Sequence, residues 1–318
     1  MQLHQPVMLD RCIALLSPSI EKSLAKKNQP VVIDATLGLG GHTHELLSRF
    51  PQLKVIGIDR DKSAIEKTEA RLKEFSGRFT IVHAVYDQIP EVLNSLGFTQ
   101  VDGILFDLGV SSMQLDFADR GFSYANEAPL DMRMDQSAPL TAELVLNTYS
   151  HGELARVIRN YGEERFASSI AANIVKARSE NRLRTTTDLA ELVKASIPAP
   201  ARRIGGNPAK RTFQAIRIEV NNELKVLERA IPAGLDVLEV GGRMVVMSYQ
   251  SLEDKIVKRA FQERTESKAP KGLPIEIKEF APKFTLVFRG SESASDSEIA
   301  ANSRAQSVRL RAIERSAA

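Results

Sequence analysis

The sequence predicts an α/β protein whose parallel sheet is interrupted by an all-helical insert. Three observations carry this expectation. Short apolar runs alternate with amphipathic stretches over the first 112 residues, which is the pattern of βαβ units. About 100 residues with helical periodicity and no strand candidate follow. Strand-like runs then return near the C-terminus.

Taken in order, "VVIDATL" from Val31 reads as a buried strand and "HELLSRF" as a short helix. "LKVIGIDRD" is a second strand with Asp59 at its end. "SAIEKTEARLKEF" is a helix, capped by Ser63, with Ile65, Leu72 and Phe75 on one side. "RFTIVHAVY" is a third strand ending at Tyr86, and "VDGILFDLGVSS" a fourth carrying Asp107. After Ser112 the chain becomes polar, aromatic and loop-like. "SHGELARVIRNYG" then opens on a Ser150/Glu153 capping box and stops at Gly162. In "ERFASSIAANIVKAR", Phe166, Ile170 and Ile174 recur every fourth residue. "DLAELVKAS" reads as a helix with a similar box at Asp188 and Glu191. "TFQAIRIEVNNELKVLERAI" reads as one long amphipathic helix striped by Phe213, Ile216, Val220, Leu224 and Leu227. "GGRMVVMSY" is a fifth strand, "LEDKIVKRAFQER" a helix, and "KFTLVF" and "SVRLRAIER" are closing strands. The Ser-rich "RGSESASDSEIAANSRA" between them is expected to be mobile. The expected boundaries are 1–112 and 212–318 for the two parts of the sheet domain, and 113–211 for the helical insert.

Composition narrows the function classes. At 318 residues, with 43% apolar and 26% charged residues, the chain is long enough for a large core and has a globular balance. The one cysteine, Cys12, excludes an internal disulfide or an all-cysteine metal site. "MQLHQPVMLDRC" lacks the charge and apolar pattern of a signal peptide, and no apolar run approaches bilayer length, so a cytoplasmic protein is expected. The net charge of +3 is unevenly spread. Between Leu192 and Ile218 there is no acid, but Lys194, Arg202, Arg203, Lys210, Arg211 and Arg217 are present, broken by Pro198, Pro200, Gly205, Gly206 and Pro208. Charge pattern alone fits equally a solvated loop and a positive contact for phosphates.

The candidate site begins at the glycine turn after the first strand. Such a turn, opening a helix, lies at the ligand crevice above the strand ends. Gly38-Leu39-Gly40-Gly41-His42 lacks the third glycine of the dinucleotide fingerprint, and there is no phosphate-cradling G-K-S/T. Asp34 just before the turn is awkward beside a pyrophosphate but suits a positively charged ligand. S-adenosylmethionine is such a ligand, with its sulfonium, ammonium, ribose diol and adenine. Asp59 lies 21 positions after Gly38, the usual distance for an acid that holds ribose hydroxyls. Tyr86 could lie against an adenine face, and Asp107 ends the fourth strand at the same rim. Any one of these alone has a bland reading as a turn residue. Together they form a moderately specific signature of this cofactor class.

Several segments then carry a resemblance. "DATLGLGGHT", "GIDRD", "FDLGVSSMQLD", "RGFSY", "PLDMRMD", "YGEERFA", "RTFQAIRIEVNNEL" and "SLEDKIVK" resemble, in order and over nearly the whole chain, the bacterial 16S ribosomal RNA cytosine-N4 methyltransferase (RsmH or MraW) family. The combination of "RGFSY" and "PLDMRMD" is the most specific part. The resemblance implies a Rossmann-like class I S-adenosylmethionine-dependent methyltransferase domain with an inserted helical subdomain for substrate recognition. It implies N4-methylation of a cytosine in the decoding centre (P site) of 16S rRNA within the small ribosomal subunit, with no metal. It implies cofactor contacts from Gly40, Gly41, His42, Asp59, Tyr86, Asp107 and Gln114. The chain departs from the family's usual pattern twice. Tyr249-Gln250-Ser251 stands where Phe-His-Ser is common, and Tyr86 where Phe is common. The first departure argues against a proton acceptor at position 250.

Cytosine N4 is a poor nucleophile because its lone pair is delocalised into the ring, so placement is the main catalytic task. Asp107 is the candidate to accept an N4–H bond and stabilise developing positive charge; its alternative is a strand cap that touches only the cofactor amine. The base must leave its stack, and Phe106, Phe122, Tyr124 and Tyr249 are candidates to hold it. His42 is expected to act through its backbone near a helix start. Asp131 and Arg133 read as an ion pair ordering a loop, and Arg217 as structural. Three competing functions stay open at this stage. A nicotinamide oxidoreductase is disfavoured by the missing third glycine. A non-catalytic assembly factor is disfavoured by the intact Gly40-Gly41, Asp59 and Asp107 set. A DNA cytosine-N4 methyltransferase is disfavoured by Asp107-Leu108-Gly109-Val110, where Ser-Pro-Pro-aromatic is usual.

Overall fold

A computed structural model of the chain describes residues 6–111, 114, 118–202, 206–267 and 280–318. Two segments expected from the sequence to bear on function, Ser112 at the domain boundary and Arg203–Gly205 in the basic stretch, lie outside these residues. The chain forms two compact units, one of Met1–Gly109 with Leu224–Ala318, the other of Val110–Glu223.

The first unit is built on seven strands: β1 Val31–Asp34, β2 Lys54–Asp59, β3 Phe79–His83, β4 Val101–Asp107, β5 Leu238–Ser248, β6 Phe284–Leu286 and β7 Arg309–Arg315. Their order is β3-β2-β1-β4-β5-β7-β6. β1 to β5 pair in parallel, and β7 runs antiparallel to both neighbours. The sheet is thus mixed, with β7 inserted between β5 and β6. Alternation along the buried strands splits the core into two layers. Val31, Ile33, Ile104, Phe106, Met244 and Val246 face one layer. Val32, Val55, Leu105, Val245 and Met247 face the other.

That second layer is covered by a helix the sequence reading missed, Leu9–Ala25. Cys12, Ile13, Leu15, Leu16 and Ile20 are its buried apolar residues, and it packs on β4 and β5. Pro18 sits inside it and masks the pattern, because proline normally signals a helix end.

The second unit is helical. His151–Gly162, Ala167–Glu180, Thr186–Ser196 and Lys210–Asn221 enclose a core that includes Leu154, Ile158, Ile170, Ile174, Leu189, Phe213 and Ile216. The Ser150/Glu153 box forms as expected. The Thr186–Ser196 helix is instead capped by Thr185, with Asp188 as the reciprocal acid. The helix after β2 is likewise capped by Asp61, which accepts from the Ser63 N–H.

Two further expectations are corrected. The long amphipathic helix is two helices, Lys210–Asn221 and Glu223–Asp236. Asn222 separates them with φ 53°, a conformation asparagine tolerates better than most residues. The apolar stripe runs through the break but serves two cores: Phe213, Ile216 and Val220 the helical one, Leu227 the sheet. The helix Lys210–Asn221 thus falls in the helical unit, with the division at Glu223/Leu224. The Ser-rich stretch is also ordered. It forms a helix, Asp296–Ala301, capped by Ser295, and a turn, Ser303–Ser307, while Glu292 bridges to Leu310 of β7.

Candidate active site

The strand order reverses between β1 and β4, and such a switch point opens a crevice at the carboxyl ends of the strands. Asp34, Asp59 and Asp107 are the last residues of β1, β2 and β4. In register, Asp34 pairs with Gly57 and Leu105. β1 therefore leaves the ladder two residues before its neighbours end, a recess of about 6–7 Å at the usual rise. The glycine turn fills that recess.

The turn needs its glycines for reasons internal to the protein. Gly38 and Gly40 adopt φ of 50° and 69°, the left-handed region that glycine enters at no cost. A Cβ on Gly40 would lie 2.6 Å from Cγ2 of Thr68, and one on Gly41 2.3 Å from Cγ of Pro6. The close approach inferred from the sequence is thus satisfied first by packing. Gly40 caps the helix Gly41–Arg49, which points its first amides out of the turn. Asp34 is also corrected. It is buried, and its Oδ2 accepts the Thr43 hydroxyl at 2.7 Å. Its carboxylate ties the new helix to β1 rather than facing a ligand.

Asp59 is held from both sides. Oδ2 accepts the Gly38 N–H at 2.7 Å and Oδ1 the Asp61 N–H at 2.8 Å. Burial raises its pKa and these donors oppose the rise. The acid thereby fixes the turn to the end of β2 while remaining part-exposed at the rim.

Asp107 is the centre of the other half. Its N–H donates to Oγ1 of Thr36 at 2.6 Å. The Tyr249 hydroxyl donates to its Oδ1 at 2.6 Å. Burial pushes its carboxyl up to about 6, against the lowering effect of the Tyr249 bond. Nδ1 of His42 lies 3.9 Å from Oδ2. His42 is buried, and its Nε2 lies 3.1 Å from the Val7 carbonyl, which can only accept, so Nε2 carries the hydrogen. Burial lowers the His42 pKa, and the neutral ring leaves Nδ1 without a proton to give Asp107. His42 therefore serves through packing and its place in the first turn of the helix.

The remaining expected residues divide. Tyr86 follows the end of β3, in a turn Tyr86–Gln88, with its ring edge-on to Phe106 at 5.7 Å. Gln114 belongs to the helical unit, where its Oε1 accepts the Ser111 N–H at 3.1 Å. Phe106 is fully buried in the sheet core and offers no face to a base. Tyr124 stacks edge-on to Phe213 at 5.8 Å, and Phe122 is buried. Asp131 and Arg133 form the expected ion pair at 2.7 Å, and Arg133 also donates to the Gln136 and Ala138 carbonyls. Arg217 pairs with Glu223 through two 2.9 Å bonds. Thr36 and the Tyr249 hydroxyl went unnoticed as partners of Asp107. Only the position of Thr36 two residues past a strand-end acid hinted at it.

Two carboxylates, an aromatic and a helix start at one crevice suit a ligand that combines positive charge, hydroxyls and a flat ring. Among the described residues, no group of three or more His, Cys, Asp or Glu could hold a metal, and no helix is long and apolar enough to cross a membrane.

Comparison with known proteins agrees with this architecture. The chain is 58% identical over 312 residues to the ribosomal RNA small subunit methyltransferase H of Saccharopolyspora erythraea, covering 98% of this chain and 93% of that one. The proteins of the same name from Pseudarthrobacter chlorophenolicus and Salinispora tropica are 56% and 55% identical, with 98% of this chain covered and 94% and 84% of theirs. The model of the MraW methylase family matches residues 1–316. The chain belongs to the MraW methylase family.

Proposed function

We propose that this enzyme methylates N4 of a cytosine in the decoding centre of 16S rRNA, within the small ribosomal subunit, using S-adenosylmethionine. The observation that carries the reading is identity above half, along 98% of the chain, to small-subunit rRNA methyltransferases.

The donor set fits the cofactor. Asp59, already fixed by two N–H donors, has acceptor capacity left for ribose hydroxyls. Tyr86 would flank the adenine, and the amides of Gly40, Gly41 and His42 would line the turn beneath it. Asp107, at the end of β4, completes the set of contacts on the sheet unit. When bound, S-adenosylmethionine would supply an electrophilic methyl group and leave as S-adenosylhomocysteine, with the displaced N4 proton lost to solvent.

The chain's own work is placement and charge. Asp107 accepts an N4–H bond, which draws the nitrogen lone pair out of conjugation and offsets the positive charge that builds on N4. It does so as the carboxylate. The unit Val110–Glu223 is the substrate-recognition subdomain in this reading, and its basic stretch through Lys194, Arg202, Lys210 and Arg211 meets RNA phosphates.

The test supplies methyl-labelled S-adenosylmethionine with four acceptors: small subunits lacking the modification, free 16S rRNA, DNA and bulk protein. Nucleosides from the products are identified by mass. N4-methylcytidine from the subunits is the expected product. Cofactor binding without transfer to any acceptor would overturn the reading in favour of a non-catalytic assembly factor.

A further inference from the structure

Tyr249 is bonded to Asp107 from the far end of the chain. The two are 142 positions apart, each just beyond or at the end of a parallel strand, β5 and β4. The tyrosine is anchored independently of its hydroxyl. Its N–H donates to Oε2 of Glu253 at 2.9 Å, and the Gln250 N–H reaches the same oxygen at 3.1 Å. Glu253 is itself buried in the first turn of the helix Ser251–Thr265. The ring packs against the core layer of Cys12, Met247 and Leu310. It passes beside Gly109, where φ is 94° and a Cβ would sit 3.6 Å from Cδ2 of the ring. The ring is thus placed by packing and backbone, and the hydroxyl is left over for the 2.6 Å bond to Oδ1.

The two oxygens of Asp107 consequently differ. Oδ1 is taken by Tyr249. Oδ2 receives no hydrogen bond from any described residue, since its neighbour His42 presents an unprotonated Nδ1 at 3.9 Å. We propose that Tyr249 is a positioning residue for methyl transfer: its hydroxyl holds Oδ1, fixes the plane of the carboxylate, and leaves Oδ2 as the oxygen offered to the substrate amine. This rests on the reading of Asp107 as the amine acceptor.

The bond has an electrostatic consequence as well. The ionisable groups facing Asp107 are Tyr249 after β5, His42 from the helix Gly41–Arg49, Asp34 from β1 and Cys12 from the helix Leu9–Ala25. Of these only the Tyr249 hydroxyl stabilises the carboxylate through a hydrogen bond. Burial raises the carboxyl and this bond opposes the rise. Without the hydroxyl, Asp107 takes up its proton at higher pH.

The test is Tyr249→Phe, which keeps the anchored ring and removes only the donor. The carboxyl carbon of Asp107, labelled with carbon-13 and assigned with Asp107→Asn, is followed by NMR as pH is varied. The expected result is a midpoint about one pH unit higher in Tyr249→Phe than in the parent. The acid limb of the transfer rate should move by the same amount, so that the variant loses more activity at pH 6 than at pH 8.5. An unchanged NMR midpoint would overturn the proposal, as would an activity loss that is the same at every pH. Failure of the underlying reading looks different. If Asp107→Asn transfers methyl groups normally while the midpoint still moves in Tyr249→Phe, the bond exists but Asp107 is not the acceptor.

Discussion

Asp107 carries opposing demands, and pH separates them. Its carboxyl is pushed up to about 6 by burial. As an acceptor it must be ionised, so transfer should fall as pH drops through about 6 and level off above it, read from initial rates at saturating cofactor. Stability should run the other way. The folded state holds the Asp107 proton more tightly than the unfolded chain, so between the unfolded value near 4 and about 6 it binds more protons, and the site's contribution to stability falls as pH rises through that window. Above pH 6 the buried charge is a standing cost. Asp107→Asn keeps an acceptor for Tyr249 and removes that charge; it should abolish most transfer yet raise stability at pH 8 by about 1–2 kcal/mol, an amount reduced because the side chain is 29% exposed. A urea melt at pH 8 checks the sign. Asp59 gives a simpler expectation: Asp59→Ala should weaken S-adenosylhomocysteine binding by about 10–100-fold, measured by calorimetry, and unchanged binding would remove Asp59 from the site. The acids themselves were legible in the sequence, because a carboxylate closing a buried apolar run stands out. What each acid touches was not. Asp34 looked like a ligand residue until Thr43, nine positions on, was seen to occupy it, and the Tyr249 bond needs two strand ends brought side by side by the sheet.

At the scale of elements, local chemistry announced most strands and several helices, and the misses have local causes. Capping boxes were recognised as a type, but at the Thr186–Ser196 helix the register was off by three. Both Thr185/Asp188 and Asp188/Glu191 satisfy the spacing rule, and only the fold chooses between them. Thr185→Ala should therefore cost about 1 kcal/mol, measured by denaturant unfolding, whereas an effect from Glu191→Ala but none from Thr185→Ala would contradict the observed cap. The break at Asn222 was invisible because the 3.6-residue stripe runs straight through it and periodicity reports which side is apolar, not which core it enters. Replacing Asn222 by Val, a branched residue at φ 53°, should destabilise by about 1–2 kcal/mol, while Asn222→Gly should be nearly neutral.

For the whole molecule, the distribution of charge matters more than the net value of +3, because phosphate binding responds to local clusters. The basic stretch lacks acids from Leu192 to Ile218, and Lys194, Lys210 and Arg211 are exposed on the helical unit. Its partners are weak: Lys194 meets Glu191 at 3.5 Å, and Arg211 the Glu163 carbonyl at 3.3 Å, so their charges are available to a polyanion at little cost. The sheet unit, by contrast, collects the acids of the crevice, Asp59 and Asp107. This division of labour predicts separable defects. Replacing Lys194, Lys210 and Arg211 together by Gln should raise KM for the ribosomal acceptor and lower the slope of log affinity against log salt by about 2–3. S-adenosylhomocysteine affinity should stay at the parent value, since none of the three belongs to the strand-end crevice. A salt slope equal to that of the parent would place the RNA contact on another surface and leave these residues as a solvated helical face.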